Sequence, residues 1–416
     1  DIGIILKLGA AGLKEKIDQK LIELGERKTA SNLEKKTFLE AEKKRLNSVV
    51  KWCNRYAKLA EDKAKIESGR RKEELLKIAD ICKKVIEEPA GNFYEALQSY
   101  LFYFIALNIF GNYIPMGRLD QMFYPYLEKD LRKGDITIEQ AQELLDCFWM
   151  KFCDRIDIDI QDHFEPHRDP GDFSLGLPEV VKFPVLPLTN FWQQNITLGG
   201  YDKDGNEATN LLTYMCLEST SKLKLIRPQL QIRLSKKSPD KLIERTAEII
   251  RDGIVPILFN DEVNIKSLVN YRDLPIEIAR NYSGEGCWEL VVPGITEFRF
   301  YHIEALQLLE FTLNRGKSRG KQILDSNDFD YNQDSKGYAI GWQKGLDLGD
   351  PCEWDSFEEV FDKYKMQLDH ALEQFIMKAN SVYLNLSKVA PTPLMSAVMH
   401  GCIEKARDMV QGGAYE

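Results

Sequence analysis

Histidine is scarce: five in 416 residues. A histidine-dependent triad or a multi-histidine metal centre therefore has little raw material. The eight cysteines are scattered and include no Cys-x-x-Cys pair, which excludes a zinc ribbon and a disulfide framework and suits a reducing, cytoplasmic compartment. A basic excess is also missing. Lys and Arg number 56 against 65 Asp and Glu, for a net charge of −9, which argues against nucleic acid or an anionic membrane as partner. No apolar run approaches the ~20 residues of a membrane-spanning helix, and no signal peptide, internal repeat or low-complexity linker is visible. What remains is ordinary for a globular protein, 44% hydrophobic and 29% charged, with enough chain for a large core.

Residues 5–90 alternate charged and apolar positions at helical spacing. Residues 92–108 form a helix with little polar face, which predicts deep burial. Gly111 to Gln121 breaks it. A further helix over 135–150 opens with a capping signal, Thr137 followed by Gln140. Residues 152–185 are irregular. His163 and His167 stand four apart there, but Pro166 between them disfavours a helical metal site, so a surface loop is the plain reading. Residues 191–200 read as a strand and 202–206 as a turn. Helices are expected over 208–223 and 239–252, and strands over 228–234, a short apolar one, and 254–260. That alternation predicts an α/β architecture with parallel strands under helices. Helices follow over 302–312 and 357–384. Residues 391–407 begin as a turn and continue as a helix. Arg315 to Lys321 contains Gly-Lys-Ser, but Phe311 stands where a phosphate loop needs glycine.

The stretch Asn281-Tyr-Ser-Gly-Glu-Gly-Cys-Trp-Glu-Leu-Val-Val-Pro-Gly294 carries the chemistry. Glycines flank Cys287, and Glu289 stands two residues on. In an extended segment both side chains point the same way. A thiol and a carboxylate on one side suit a site where hydrogen leaves one substrate atom while a base takes a proton from its neighbour. The competing reading is a buried, inert cysteine.

Several blocks together resemble the glycyl radical enzymes of the pyruvate formate-lyase-like superfamily. The Gly286-Cys287-x-Glu289 loop is similar to that family's thiyl-radical loop. Gly117-Arg-Leu-Asp-Gln121 with Tyr124-Pro125, Leu198-Gly-Gly200 with Asp204-Gly205 and Ala208-Thr-Asn210, and Pro391-Thr-Pro-Leu-Met-Ser396 with Cys402, Asp408 and Gly412-Gly-Ala414 follow in the family's order. The resemblance covers nearly the whole chain. It implies a ten-stranded α/β barrel of two five-stranded halves, surrounded by helices, with the cysteine loop inside. Residues 1–416 would be a fragment of that barrel domain. The family's C-terminal glycine radical domain is absent from the sequence, so the isolated fragment is expected to be inactive.

The resemblance further implies an S-adenosylmethionine-dependent (radical-SAM) activating enzyme as partner, a post-translational glycyl radical as the cofactor, no bound metal, a small-molecule substrate and a homodimer. Cys287 would form a thiyl radical that takes hydrogen from the substrate, a role needing S–H rather than thiolate, and Glu289 would act as general base for elimination. A single cysteine after Gly286 disfavours the pyruvate formate-lyase reaction, which uses two adjacent cysteines. Asn112 and Tyr113 replace the His-Ser of the diol dehydratases, Tyr301 replaces an acidic residue, and Trp288 replaces a small aliphatic one. These four are the expected substrate-binding residues, suited to something bulkier than a small diol. The expected activity is a glycyl radical lyase of the dehydratase kind. An arylacetate-type decarboxylase, a catalytically silent scaffold and a cysteine hydrolase using His302 are the rivals.

Overall fold

In the computed structural model, the structure describes residues 1–26, 29–108, 114–153, 157–158, 188–189, 194–225, 227–286, 289–296, 303–317 and 343–414. The chain divides into two compact units, one of residues 1–157, 189–298 and 391–416, the other of residues 158–188 and 299–390.

The first unit begins with helices α1 (Gly3–Glu23), α2 (Ala30–Ala64) and α3 (Gly69–Glu87). Thr29 caps α2 by accepting from the Asn32 N–H at 3.2 Å, as short hydroxyl side chains do at helix starts. Leu39, Leu46, Val49, Cys53 and Ala57 recur at three, four or seven along α2 and are all buried, so the helical spacing translates directly into a core-facing stripe. The next helix, α4 (Phe93–Asn108), is buried nearly all round through Phe93, Tyr100, Tyr103 and Phe104, as its poverty in polar residues requires. α5 (Leu119–Lys133) and α6 (Ile138–Cys153) follow. The expected cap of α6 is present in both directions: the Thr137 N–H donates to Gln140 Oε1 at 3.0 Å, and the Gln140 N–H to Thr137 Oγ1 at 3.2 Å.

A parallel sheet then forms from β1 (Asn195–Gly199), β2 (Gln229–Leu234) and β3 (Ile257–Asn260), in that order. Its connections are α7 (Leu211–Leu223) and α8 (Asp240–Arg251), so this part is α/β as expected. Residues 116–118 run beside β1: Met116 N–H donates to Asn195 O and Thr197 N–H to Gly117 O. The sheet face formed by Ile196, Leu198, Leu230 and Ile232 joins the core with Leu212, Leu242 and Ile249. The opposite face carries Asn195, Thr197, Gln231 and Arg233, equally buried. β2 is therefore not an apolar strand but an alternating one. Parallel strands covered on both sides are usually apolar throughout, so a buried polar face is the feature needing explanation.

Past β3 come α9 (Asp261–Arg272), which the sequence reading had not anticipated, and α10 (Ile276–Ala279). A hairpin of β4 (Ser283–Glu285) and β5 (Glu289–Val291) follows. The segment 391–416 corrects the expected continuous helix. It holds two short helices, α13 (Pro393–Ser396) and α14 (Cys402–Lys405). Gly401 between them has φ +93°, a left-handed conformation that a helix cannot contain, and the His400 N–H turns aside to donate to Gly294 O at 2.7 Å. The second unit contains α11 (Ala305–Leu313) and the 33-residue α12 (Phe357–Val389), longer than the expected 357–384.

Two interior charges set testable stability. Arg233 donates from Nε and Nη2 to the two oxygens of Asp261, each at 2.8 Å, with both residues fully buried. Removing one partner of such a pair leaves an uncompensated charge, at a cost of about 3–5 kcal/mol. Asp261→Ala should lower unfolding stability in the complete protein by that amount in urea titration. Glu42 of α2 is the converse, a buried carboxyl with no hydrogen-bond partner. Burial first, then the charges of Asp408 and Glu404, push it from an ordinary 4.5 up to about 9. Between those values the folded state holds a proton that the unfolded chain has lost, so this group's contribution is intact below 4.5 and declines as pH rises toward 9. Glu42→Gln should therefore raise the urea midpoint over the parent at mildly alkaline pH, with the gain shrinking as pH falls to that of an ordinary carboxyl.

Candidate active site

The end of β1 is clamped from two sides. Arg118 donates from Nη2 to Gly199 O at 2.9 Å and from Nη1 to Arg280 O at 3.3 Å. Burial lowers its guanidinium to about 9, still charged at neutral pH. Asp120 accepts from the Gly199 N–H at 2.8 Å and from Thr213 Oγ1 at 2.6 Å. Gln121 Nε2 donates to Ala208 O at 2.7 Å, and Asn210 caps α7 by accepting from the Leu212 and Thr213 N–H groups. The motif blocks around residues 117–121, 198–200 and 208–210 thus meet in one hydrogen-bonded corner.

Across the sheet, the Arg233–Asp261 pair reaches the hairpin. Arg233 Nη1 donates to Tyr282 O at 2.9 Å, its guanidinium lies 3.9 Å from the centre of the Tyr282 ring, and Tyr282 Oη donates to Asp261 Oδ1 at 2.7 Å. β4 starts at the next residue. Its Gly284 N–H donates to Thr197 Oγ1 at 3.1 Å, and that hydroxyl donates to Gln231 Oε1 at 2.8 Å. Asn195 Nδ2 donates to Gly286 O. The polar face of the sheet is therefore the seat of the hairpin. A Cβ at position 284 would fall 2.3 Å from Gln231 Oε1, so glycine is required there by close approach. Gly286, with φ +59°, begins the connection between the two strands.

The described strands on either side of Cys287 form a hairpin. β4 ends at Glu285 and the chain returns antiparallel from Glu289, the two glutamates standing directly opposite each other. Glu289 is half-buried. Cys287 and Trp288, between the strands, lie outside the described residues, as do Asn112, Tyr113, Tyr301, His302, His163 and His167. Of the expected site residues, the structure therefore places Glu289. Sequence reasoning passed over Asn195, Thr197, Gln231 and Glu285. Their signal was the alternation Asn-Ile-Thr-Leu-Gly and Gln-Leu-Gln-Ile-Arg-Leu in strands too buried to spend polar residues on solvent.

The seven described cysteines are free, and burial pushes the Cys402 thiol up to about 12. Among the described residues no cluster of His, Cys, Asp or Glu has the make-up of a metal site, and no helix is long and apolar enough to cross a membrane.

With the hairpin seated on a parallel sheet, comparison with known proteins is informative. The model of the pyruvate formate lyase-like family matches residues 1–415. The chain belongs to that family, whose members here are glycyl radical enzymes. It is 32% identical over 418 residues to trans-4-hydroxy-L-proline dehydratase of Clostridioides difficile, covering 99% of this chain and 48% of that protein. It is 31% identical over 412 residues to isethionate sulfite-lyase of Oleidesulfovibrio alaskensis, covering 97% and 45%. The glycerol-bound structure of the B12-independent glycerol dehydratase from Clostridium butyricum superposes with a TM-score of 0.82 at 31% identity, over 100% of this chain and 48% of that one. The chain spans about half the length of these relatives.

Gly284→Ala tests the seating. The added methyl must displace Gln231 or lift the hairpin, and overpacking of this kind costs about 1–3 kcal/mol. The expected result is a urea midpoint lowered accordingly.

Proposed function

We propose that the complete protein is a glycyl radical lyase of the dehydratase kind, with Cys287 and Glu289 as its reacting residues. One observation carries this reading: the hairpin that brackets Cys287 is bonded through Gly284 and Gly286 to a buried polar sheet face, by Thr197 and Asn195. An inert structural cysteine needs no such seat. A loop that must hold a thiol at one place in a closed interior does. The buried Ser283 Oγ, which has no protein partner, fits a space that receives a polar molecule, because such an atom otherwise carries a desolvation cost.

The glycyl radical, installed in the complete protein by a radical-SAM activating enzyme, supplies the capacity to abstract hydrogen. Cys287, once its S–H hydrogen has passed to the glycyl radical, would as a thiyl radical take a hydrogen atom from a substrate carbon and return one to the product radical. Glu289 takes the proton of a hydroxyl on that carbon, which promotes departure of the leaving group from the adjacent carbon. Enclosure keeps water from the substrate radical. Asn112, Tyr113, Trp288 and Tyr301 are the proposed substrate-binding residues. The parallel sheet β1–β3 with residues 116–118 is one wall of a ten-stranded barrel of two five-stranded halves, to which residues 1–416 contribute. A cytoplasmic homodimer completes the picture.

The test uses the full-length gene product, incubated anaerobically with its activating enzyme, S-adenosylmethionine and reductant. A glycine-centred doublet in the EPR spectrum is expected, with turnover of one of a panel of trans-4-hydroxy-L-proline, glycerol, 1,2-propanediol, isethionate and indoleacetate. Cys287→Ala should keep the doublet and lose turnover by several orders of magnitude. No doublet under conditions that activate a relative would sink the radical reading, and turnover of indoleacetate alone would replace the lyase by a decarboxylase.

A further inference from the structure

Glu285 has no part in the chemistry described so far. It stands two residues before Cys287 and directly opposite Glu289 in the β4–β5 ladder. Residues directly opposed in an antiparallel pair project from the same face, with Cβ atoms about 4.5–5.5 Å apart. Alternation along β4 puts Ser283 on that face too, while Gly284 is turned to Gln231 on the sheet side. One face of the cysteine hairpin therefore presents Ser283, Glu285 and Glu289.

Two of the three are orphaned. Ser283 and Glu285 are fully buried, and neither Ser283 Oγ nor either carboxyl oxygen of Glu285 has a hydrogen-bond partner. An unpaired ionised carboxylate is very costly to bury, so the group stays protonated instead. Burial first, and then the facing charge of Glu289, hold the Glu285 carboxyl well above the usual carboxylate range. Among the described residues, Tyr100 of α4 also senses it: its phenol is raised by burial and then by Glu285, and its hydroxyl already donates to Met116 O at 2.8 Å. A neutral carboxyl offers one O–H donor and an acceptor. With its neighbours otherwise engaged, that capacity is free for a bound molecule.

We propose that Glu285 is a substrate-binding carboxyl of the cysteine hairpin, one that hydrogen-bonds a hydroxyl-bearing small molecule beside Glu289. This rests on Glu289 being the base. The division of labour is one that enzymes reach by giving two neighbouring carboxyls different environments. Glu289, half-buried, is the member that accepts a proton. Glu285, sealed, is the member that donates a hydrogen bond. A hydroxylated substrate satisfies both, whereas an anionic group placed between them would meet the charge of Glu289.

The experiment has two arms on the full-length protein. The first needs neither radical nor turnover. Infrared difference spectra of the parent against Glu285→Gln are recorded across pH. A protonated-carboxyl C=O band belonging to Glu285 should be present at neutral pH and should disappear only on titration well into the alkaline range. In Glu289→Gln the same band should titrate at lower pH, because one of its two causes is gone. Glycerol and trans-4-hydroxy-L-proline serve as probes, and the one that binds should shift the band. A missing band at neutral pH, or a titration that ignores Glu289→Gln, overturns the proposal. The second arm compares turnover with whichever probe the activated enzyme accepts. Glu285→Gln, which keeps a donor and an acceptor, should hold KM within a few-fold, and Glu285→Leu should raise KM about tenfold or more for a lost hydrogen bond to a buried group. An unchanged KM in Glu285→Leu would also overturn it. Failure to form any radical would count against the lyase reading and leave the infrared arm to decide on Glu285.

Discussion

A buried ion pair, Arg233 with Asp261, is the constraint on which the site depends. Its two charge-assisted bonds join the end of β2 to the start of α9, directly after β3. An N–H on the other terminal nitrogen, Nη1, holds the Tyr282 carbonyl, and the Tyr282 hydroxyl returns to Asp261. Buried pairs of this sort contribute little net stability relative to an apolar replacement, and register is the role best attested for them. Here the register in question is that of the hairpin beginning one residue later. Without the anchor, the bonds from Thr197 to Gly284 and from Asn195 to Gly286 would have to orient the hairpin alone.

A second corner does for β1 what the ion pair does for β2. Arg118 and Asp120 reach Gly199 from opposite sides, its carbonyl and its N–H respectively, and Thr213 and Asn210 tie the same corner to α7. Bonds of a buried charged group to main-chain atoms tolerate few substitutes, since the replacement must satisfy every partner it inherits. The corner also explains why blocks separated by about eighty residues in sequence form one unit of pattern. The late block joins the same assembly: Asp408 accepts from the Thr392 N–H, and His400 meets the carbonyl of Gly294 just beyond the hairpin.

With these anchors in place, the polar face of β1 and β2 becomes intelligible. Strand residues that would be wasted against a helix serve here as ligands for a hairpin's backbone. The same enclosure that hides Asn195, Thr197 and Gln231 leaves Ser283 and Glu285 without partners, and such unmet demand is a mark of places where a molecule binds.

Much was legible in the sequence because it is local physics. The Thr137–Gln140 cap, the helical stripe of α2, the all-round burial of α4 and the strand–helix alternation after residue 194 each follow from residues a few positions apart. Glycines around a cysteine, followed by a glutamate, drew attention to the segment that the structure forms into a hairpin ending in Glu289. Other features were decided by tertiary structure. Residues 391–407 have a helical composition, yet Gly401 and the bond from His400 to Gly294 break them, and Gly294 is more than a hundred residues away. The strand over 229–234 contains apolar residues, but which of its faces is polar matters only because a hairpin from residue 283 onward lies there. Glu285 reads as an ordinary acidic residue in a glycine-rich loop. Only the antiparallel register sets it opposite Glu289, and only packing from distant segments removes the water that would have kept it charged.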